Sequence, residues 1–94
     1  QHTYDYDILS HIYKMKKGVK YIGVIASKSK ATKTIDKLKK EFGSKINLGN
    51  LYMPIGLDLG GNSASEIALS IAAEIQTVLK NRPANHLSVI KKNP

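Results

Sequence analysis

Residues 20–26, KYIGVIA, put Tyr21, Ile22, Val24 and Ile25 in one nearly unbroken apolar run. β-branched and aromatic residues favour strands. A strand that wets one face alternates polar and apolar residues, and this one does not. The run therefore predicts a strand buried on both faces, as in a parallel sheet covered by helices. Gly23 inside it predicts a close backbone approach. A strand of this kind cannot stand alone, because it needs a neighbour on each edge.

Three helices are predicted around it. Residues 4–16 carry Ile8, Ile12 and Met15 at helical spacing, widened by Leu9. Asp5 and Asp7 near the start, Lys14, Lys16 and Lys17 near the end, suit the helix dipole, and Gly18 is read as the stop. After the loop SKSKAT, a second helix runs to about Phe42, burying Ala31, Ile35, Leu38 and Phe42, with Gly43 as its C-terminal glycine. The third is the strongest. Ser63 and Glu66 form a capping box at its start. Ile67, Ile71, Ile75, Val78 and Leu79 make its stripe beside Ala68 and Ala72, and Arg82-Pro83 ends the helix. Before it lies a glycine-rich turn, Pro54-Ile55-Gly56-Leu57-Asp58-Leu59-Gly60-Gly61. Residues 82–94 read as a tail.

The order helix, strand, helix, loop, helix is the rhythm of a doubly wound α/β domain. Ninety-four residues hold one small domain at most. A chain that opens on Gln1 rather than Met reads as a processed piece or an incomplete record. No apolar run approaches the roughly 20 residues that span a bilayer. The polar, acidic N-terminus does not read as a signal peptide. The absence of cysteine excludes disulfides, thiolate metal sites and a cysteine nucleophile, and fits a cytoplasmic setting. The formal charge of +8 is concentrated between Lys14 and Lys45. Such a block suits a phosphorylated ligand, an acidic surface or plain solvation. Nucleic acid is disfavoured, because arginine and aromatics are scarce and no nucleic-acid motif is present.

Candidate chemistry falls in three places. Ser27, Lys28 and Lys30 lie where the strand feeds a helix N-terminus, the place where hydroxyls and free N–H groups take anions. The plain alternative is an N-cap, Ser27 or Ser29, with solvated lysines. His2 and Asp7 flank the first helix start. They are too few for a metal and also fit simple capping. Asp58, between Gly56 and Gly60, suits a ligand hydroxyl, a base or its own turn. His11 and His86 are isolated. No nucleophile–base–orienter set is assembled, and neither a P-loop nor a G-x-G-x-x-G fingerprint occurs.

Taken in order, YIGVIASKSK, PIGLDLGG and SASEIALSIAAEI resemble the C-terminal Rossmann-like domain of the XdhC/CoxI family. That family comprises accessory factors of xanthine dehydrogenase and related molybdenum hydroxylases. The opening HTYDYD is similar to the family's His…Asp segment. The resemblance spans about residues 2–81, with 82–94 left as tail. It departs at Ala26, where the family has Gly, and at Ser29, which interrupts the basic run.

The resemblance implies the C-terminal half of a Rossmann-like parallel sheet with flanking helices. It implies a non-catalytic factor that binds molybdenum cofactor, a phosphate-bearing pterin, and delivers it to an apo molybdenum hydroxylase. By position it assigns Ser27, Lys28 and Lys30 to a basic loop, Gly56, Asp58 and Gly60 to a glycine turn, and His2 and Asp7 to the His…Asp motif. The rival reading is an NAD(P)- or nucleotide-binding Rossmann domain of an oxidoreductase. Strand 20–26 is expected to find its neighbours in a second copy or in the other half of its own domain. The alternative is that Tyr52–Ile55 and His86–Ile90 supply both.

Overall fold

The computed structural model describes residues 4–93. Along them run α1 (Tyr4–Met15), β1 (Ile22–Gly23), α2 (Lys28–Phe42), β2 (Leu51–Tyr52) and α3 (Ala64–Lys80). The fold class is α/β. The chain divides into two compact units, Gln1–Ile55 and Gly56–Pro94.

The first unit is a parallel βαβ preceded by a helix. β1 pairs with β2 in parallel, Ile22 opposite Leu51 and Gly23 opposite Tyr52, with α2 as the crossover. The ladder is extended by amide bonds from Ile22 to Asn50, Val24 to Tyr52 and Ile55 to Val24. The core is small. Leu9, Ala31, Leu38 and Met53 are buried, and Ile22, Val24, Ala26 and Leu51 pack against them. Gly23 fills its predicted role, since a Cβ there would meet the Ile55 side chain and the Tyr21 hydroxyl. Tyr21 stacks on Tyr52, ring centroids 4.8 Å apart.

The predicted strand 20–26 is longer and better buried than the one observed. Only Ile22–Gly23 is strand, and Ile25 is 77% exposed. Among the described residues β1 has a single neighbour. β2 covers one edge, and residues 86–90 form no strand. Instead, Asn93 closes a small loop with His86, accepting from its N–H at 2.6 Å, and Leu87, Val89 and Ile90 face solvent. α1 also buries a different stripe from the one predicted. Leu9 and Ser10 face inward while Ile8 and Met15 are exposed. Its end is made by Lys16 in the left-handed region, φ +52°, two residues before Gly18.

Polar side chains explain the rotation of α1. The Tyr6 hydroxyl donates to the Glu41 carboxylate of α2, and Ser10 Oγ donates to the same group at 2.9 and 3.0 Å. Lys14 lies 3.5 Å away, and Lys37 Nζ sits 4.3 Å above the Tyr6 ring. These bonds hold the Glu41 carboxyl below its usual range, and they push the Tyr6 phenol up to about 12. A depressed carboxyl adds stability above its unfolded value and loses it as pH falls. A raised phenol adds stability below its unfolded value and loses it towards pH 12. The melting temperature should therefore fall in acid, and Glu41→Gln should flatten that limb. Melting curves of both proteins between pH 3 and 7 (roughly the carboxylate range) check this. An unchanged acid limb would show that the clamp is not coupled to folding.

The second unit is a turn and a helix. Ser63 caps α3 in the predicted box: its Oγ accepts from the Glu66 N–H, and Glu66 accepts from the Ser63 N–H at 3.1 Å. Asn81, left-handed at φ +55°, ends the helix before Pro83. The predicted stripe is incompletely covered, since Ile67, Ile75 and Leu79 are exposed, and the one buried residue of α3 is Glu74.

Candidate functional site

The candidate residues lie in both units. In the first unit the chain leaves β1 and enters α2 at Ser27. Ser27 is extended, φ −73° and ψ 161°, and its Oγ accepts from the Lys30 N–H at 3.1 Å. That makes Ser27, not Ser29, the N-cap. The backbone N–H groups of Lys28 and Ser29 have no partner among the described residues. The first turn of α2 carries no acidic residue. The positive end of the helix dipole is thus offset by nothing on its own helix.

The two lysines behave differently. Lys28 is exposed and makes no ion pair among the described residues. Lys30 is half-buried, and its Nζ donates to Asp5 Oδ2 of α1 at 3.0 Å, each side chain about one-third exposed. Asp5 also lines an open groove of about 690 Å³ between α1 and β1, with Ile8, Leu9, Ile12 and residues 22–25. Asp5 is the residue that sequence reasoning passed over in favour of Asp7. Both sit in the first turn of α1, but only Asp5 points along the face that meets α2. Asp7 is exposed, and His2 lies outside the described residues.

In the second unit the glycine turn is fastened to α3. Gly56, at φ +103°, donates its N–H to Glu74 Oε1 at 2.9 Å, and Leu57 donates to the Ser70 carbonyl at 3.2 Å. A Cβ on Gly56 would lie 2.5 Å from Ser70 Oγ, and one on Gly61 would enter the Glu66 carboxylate. Gly60 is also left-handed, φ +84°, with open space around it. Asp58 is exposed. The contrast between the helix starts is chemical. At α3 the Glu66 carboxylate already occupies the N-terminal amide, and the Ser63 contact holds its pKa down. At α2 nothing does.

Glu74 is the functional-site residue the sequence reading missed. It is 7% exposed, a carboxylate holding the backbone of the turn. The available clue was a glutamate sitting where the α3 stripe turns apolar. Among the described residues, no group of three or more His, Asp or Glu side chains is arranged to hold a metal ion, and no helix is long and apolar enough to cross a membrane.

A family model for the XdhC Rossmann domain matches residues 1–75. The chain belongs to the XdhC family. The match to this XdhC domain takes in both candidate groups, the α2 start and the glycine turn. The chain is also similar to the uncharacterized protein YqeB of Escherichia coli (strain K12), 29% identical over 65 residues. That alignment covers 69% of this XdhC chain and 12% of YqeB, so the chain spans a small part of that relative.

Proposed function

We propose that this chain is part of an accessory factor that holds molybdenum cofactor as cargo and passes it to an apo-hydroxylase of the xanthine dehydrogenase type. The observation that carries the reading is the α2 start. A helix N-terminus follows the carboxyl end of a parallel strand, with two N–H groups that have no partner among the described residues, no acid in its first turn and an exposed Lys28. Those donors match a phosphate, which takes N–H bonds and a cation together. The rest of the cofactor supplies the molybdenum chemistry to the hydroxylase. Ser27 shapes the turn, Lys28 supplies charge, and Lys30 is shared between Asp5 and the anion. Gly56, Asp58 and Gly60, and His2 and Asp7, are assigned by the family likeness alone. The reading is of binding and delivery, with no catalytic step.

Replacing both Lys28 and Lys30 with Ala should weaken cofactor binding by about 1 kcal/mol or more, the scale of a charge-assisted hydrogen bond. Most of the loss should appear in Lys28→Ala alone, because Lys30 is already engaged by Asp5. Isothermal titration of the three proteins measures it. Unchanged affinity in the double variant would reduce both lysines to solvated charges. Preference for a nicotinamide dinucleotide over the pterin would favour the oxidoreductase reading instead.

A further inference from the structure

On the reading of the α2 start as a phosphate site, on which this rests, we infer that Asp5 is its release residue: the Asp5 carboxylate competes with the bound phosphate for Lys30 and recaptures it as the cargo leaves. Lys30 is engaged twice. Its N–H donates to Ser27 Oγ at 3.1 Å, which closes the cap of α2, and its Nζ donates to Asp5 Oδ2 at 3.0 Å. Asp5 lies in the first turn of α1 and Lys30 in the first turn of α2, so the two helices begin at this pair. The pair is unequal. A carboxylate in a first turn is favoured by the helix dipole, and a cation there is opposed by it. Asp5 is therefore well placed on α1, while Lys30 is well placed on α2 only beside an anion. The first turn of α2 supplies none. Among the described residues Asp5 supplies it, and Lys30 has no second ion pair.

A phosphate answers the same need and takes more donors. It can accept from the N–H groups of Lys28 and Ser29, which the Asp5 pair leaves without a partner among the described residues. Both side chains of the pair are about one-third exposed, so the pair opens without stranding a buried charge. Ion pairs this exposed are weak. The contest for Lys30 is therefore close to balanced, which suits a carrier that must hold its cargo and then give it up. Lys28, exposed and in no ion pair among the described residues, stays with the anion throughout. Lys28 holds, and Asp5 acts through Lys30 to release.

Isothermal titration of the full chain with molybdenum cofactor, together with stopped-flow dissociation, tests this. Asp5→Asn should tighten binding about fivefold, the upper end for a partly exposed pair. The gain should appear as slower dissociation. In a Lys30→Ala background the same substitution should change affinity by less than about twofold, because the contested cation is gone. Far-ultraviolet dichroism confirms that each variant keeps its helices. Asp5→Ser, which also suits a helix start, replaces Asp5→Asn if that variant loses them. Unchanged or weaker binding on removing Asp5, with Lys28→Ala still costly, would overturn the release role and leave the phosphate site standing. A gain that survives Lys30→Ala in full, or one confined to association, would make Asp5 only part of the field around the site and would overturn the role too. Indifference to Lys28→Ala would remove the phosphate site itself, and the release role with it.

Discussion

Leu38→Ala is expected to remove about 3 kcal/mol from the first unit, within the range for truncating a fully buried leucine. Leu38 is 0% exposed, and among the described residues only it and Leu9 are large side chains fully shut off from water. The core they share is four buried apolar residues. No surplus of packing surrounds the cavity that alanine would leave, and a domain of this size has a small margin. Denaturant titration, followed through the amides of α1 and α2, should show the midpoint fall sharply or the cooperative transition disappear. Leu87→Ala, removing a side chain that is 97% exposed, should stay within about 0.5 kcal/mol. Equal effects from the two would mean that the core does not hold the unit together.

Gly56→Ala should cost about 2 kcal/mol or more and free the glycine turn from α3. Two penalties add. The backbone at φ +103° is strained for any side chain, and the new Cβ would lie 2.5 Å from Ser70 Oγ. Moving Ser70 aside breaks its bond to the Ile67 carbonyl, 2.8 Å. Moving the turn aside breaks the Gly56 bond to Glu74 and the Leu57 bond to Ser70. A carboxylate that loses a bond in a buried place is costly. Hydrogen exchange at Gly56 and Leu57 reads the loosening directly. Gly18→Ala is the control, because nothing lies within 4 Å of a Cβ there. If the two substitutions behave alike, the turn is not fastened as described.

The helices and their caps were legible because they are local. Ser63 with Glu66, the spacing of Ala31 and Leu38, and Gly43 after Phe42 are all set within a few residues. Gly23 was legible for the same reason, since a glycine inside an apolar run has few other uses. The errors came from distance. α1 rotates to bring Tyr6 and Ser10 to Glu41, 35 and 31 residues away, and no periodicity in α1 encodes that partner. Strand 20–26 promised burial on both faces, but burial belongs to the assembled sheet, and one neighbour covers one edge. At the site, Ser27, Lys28 and Lys30 were legible from their place after a strand. The Lys30–Asp5 pair and the Glu74 hold on Gly56 were not, because each joins segments well separated in sequence.

Under the proposed function, the start of α2 holds the phosphate of the pterin. Titrating the chain with molybdenum cofactor and with the same pterin lacking its phosphate, each against wild type and Lys28→Ala, tests this most directly. The account predicts that wild type binds the phosphorylated form more tightly, and that Lys28→Ala lowers that affinity severalfold while leaving the dephosphorylated form unchanged. Equal affinity of wild type for the two pterins, or an equal loss for both on removing Lys28, would contradict it.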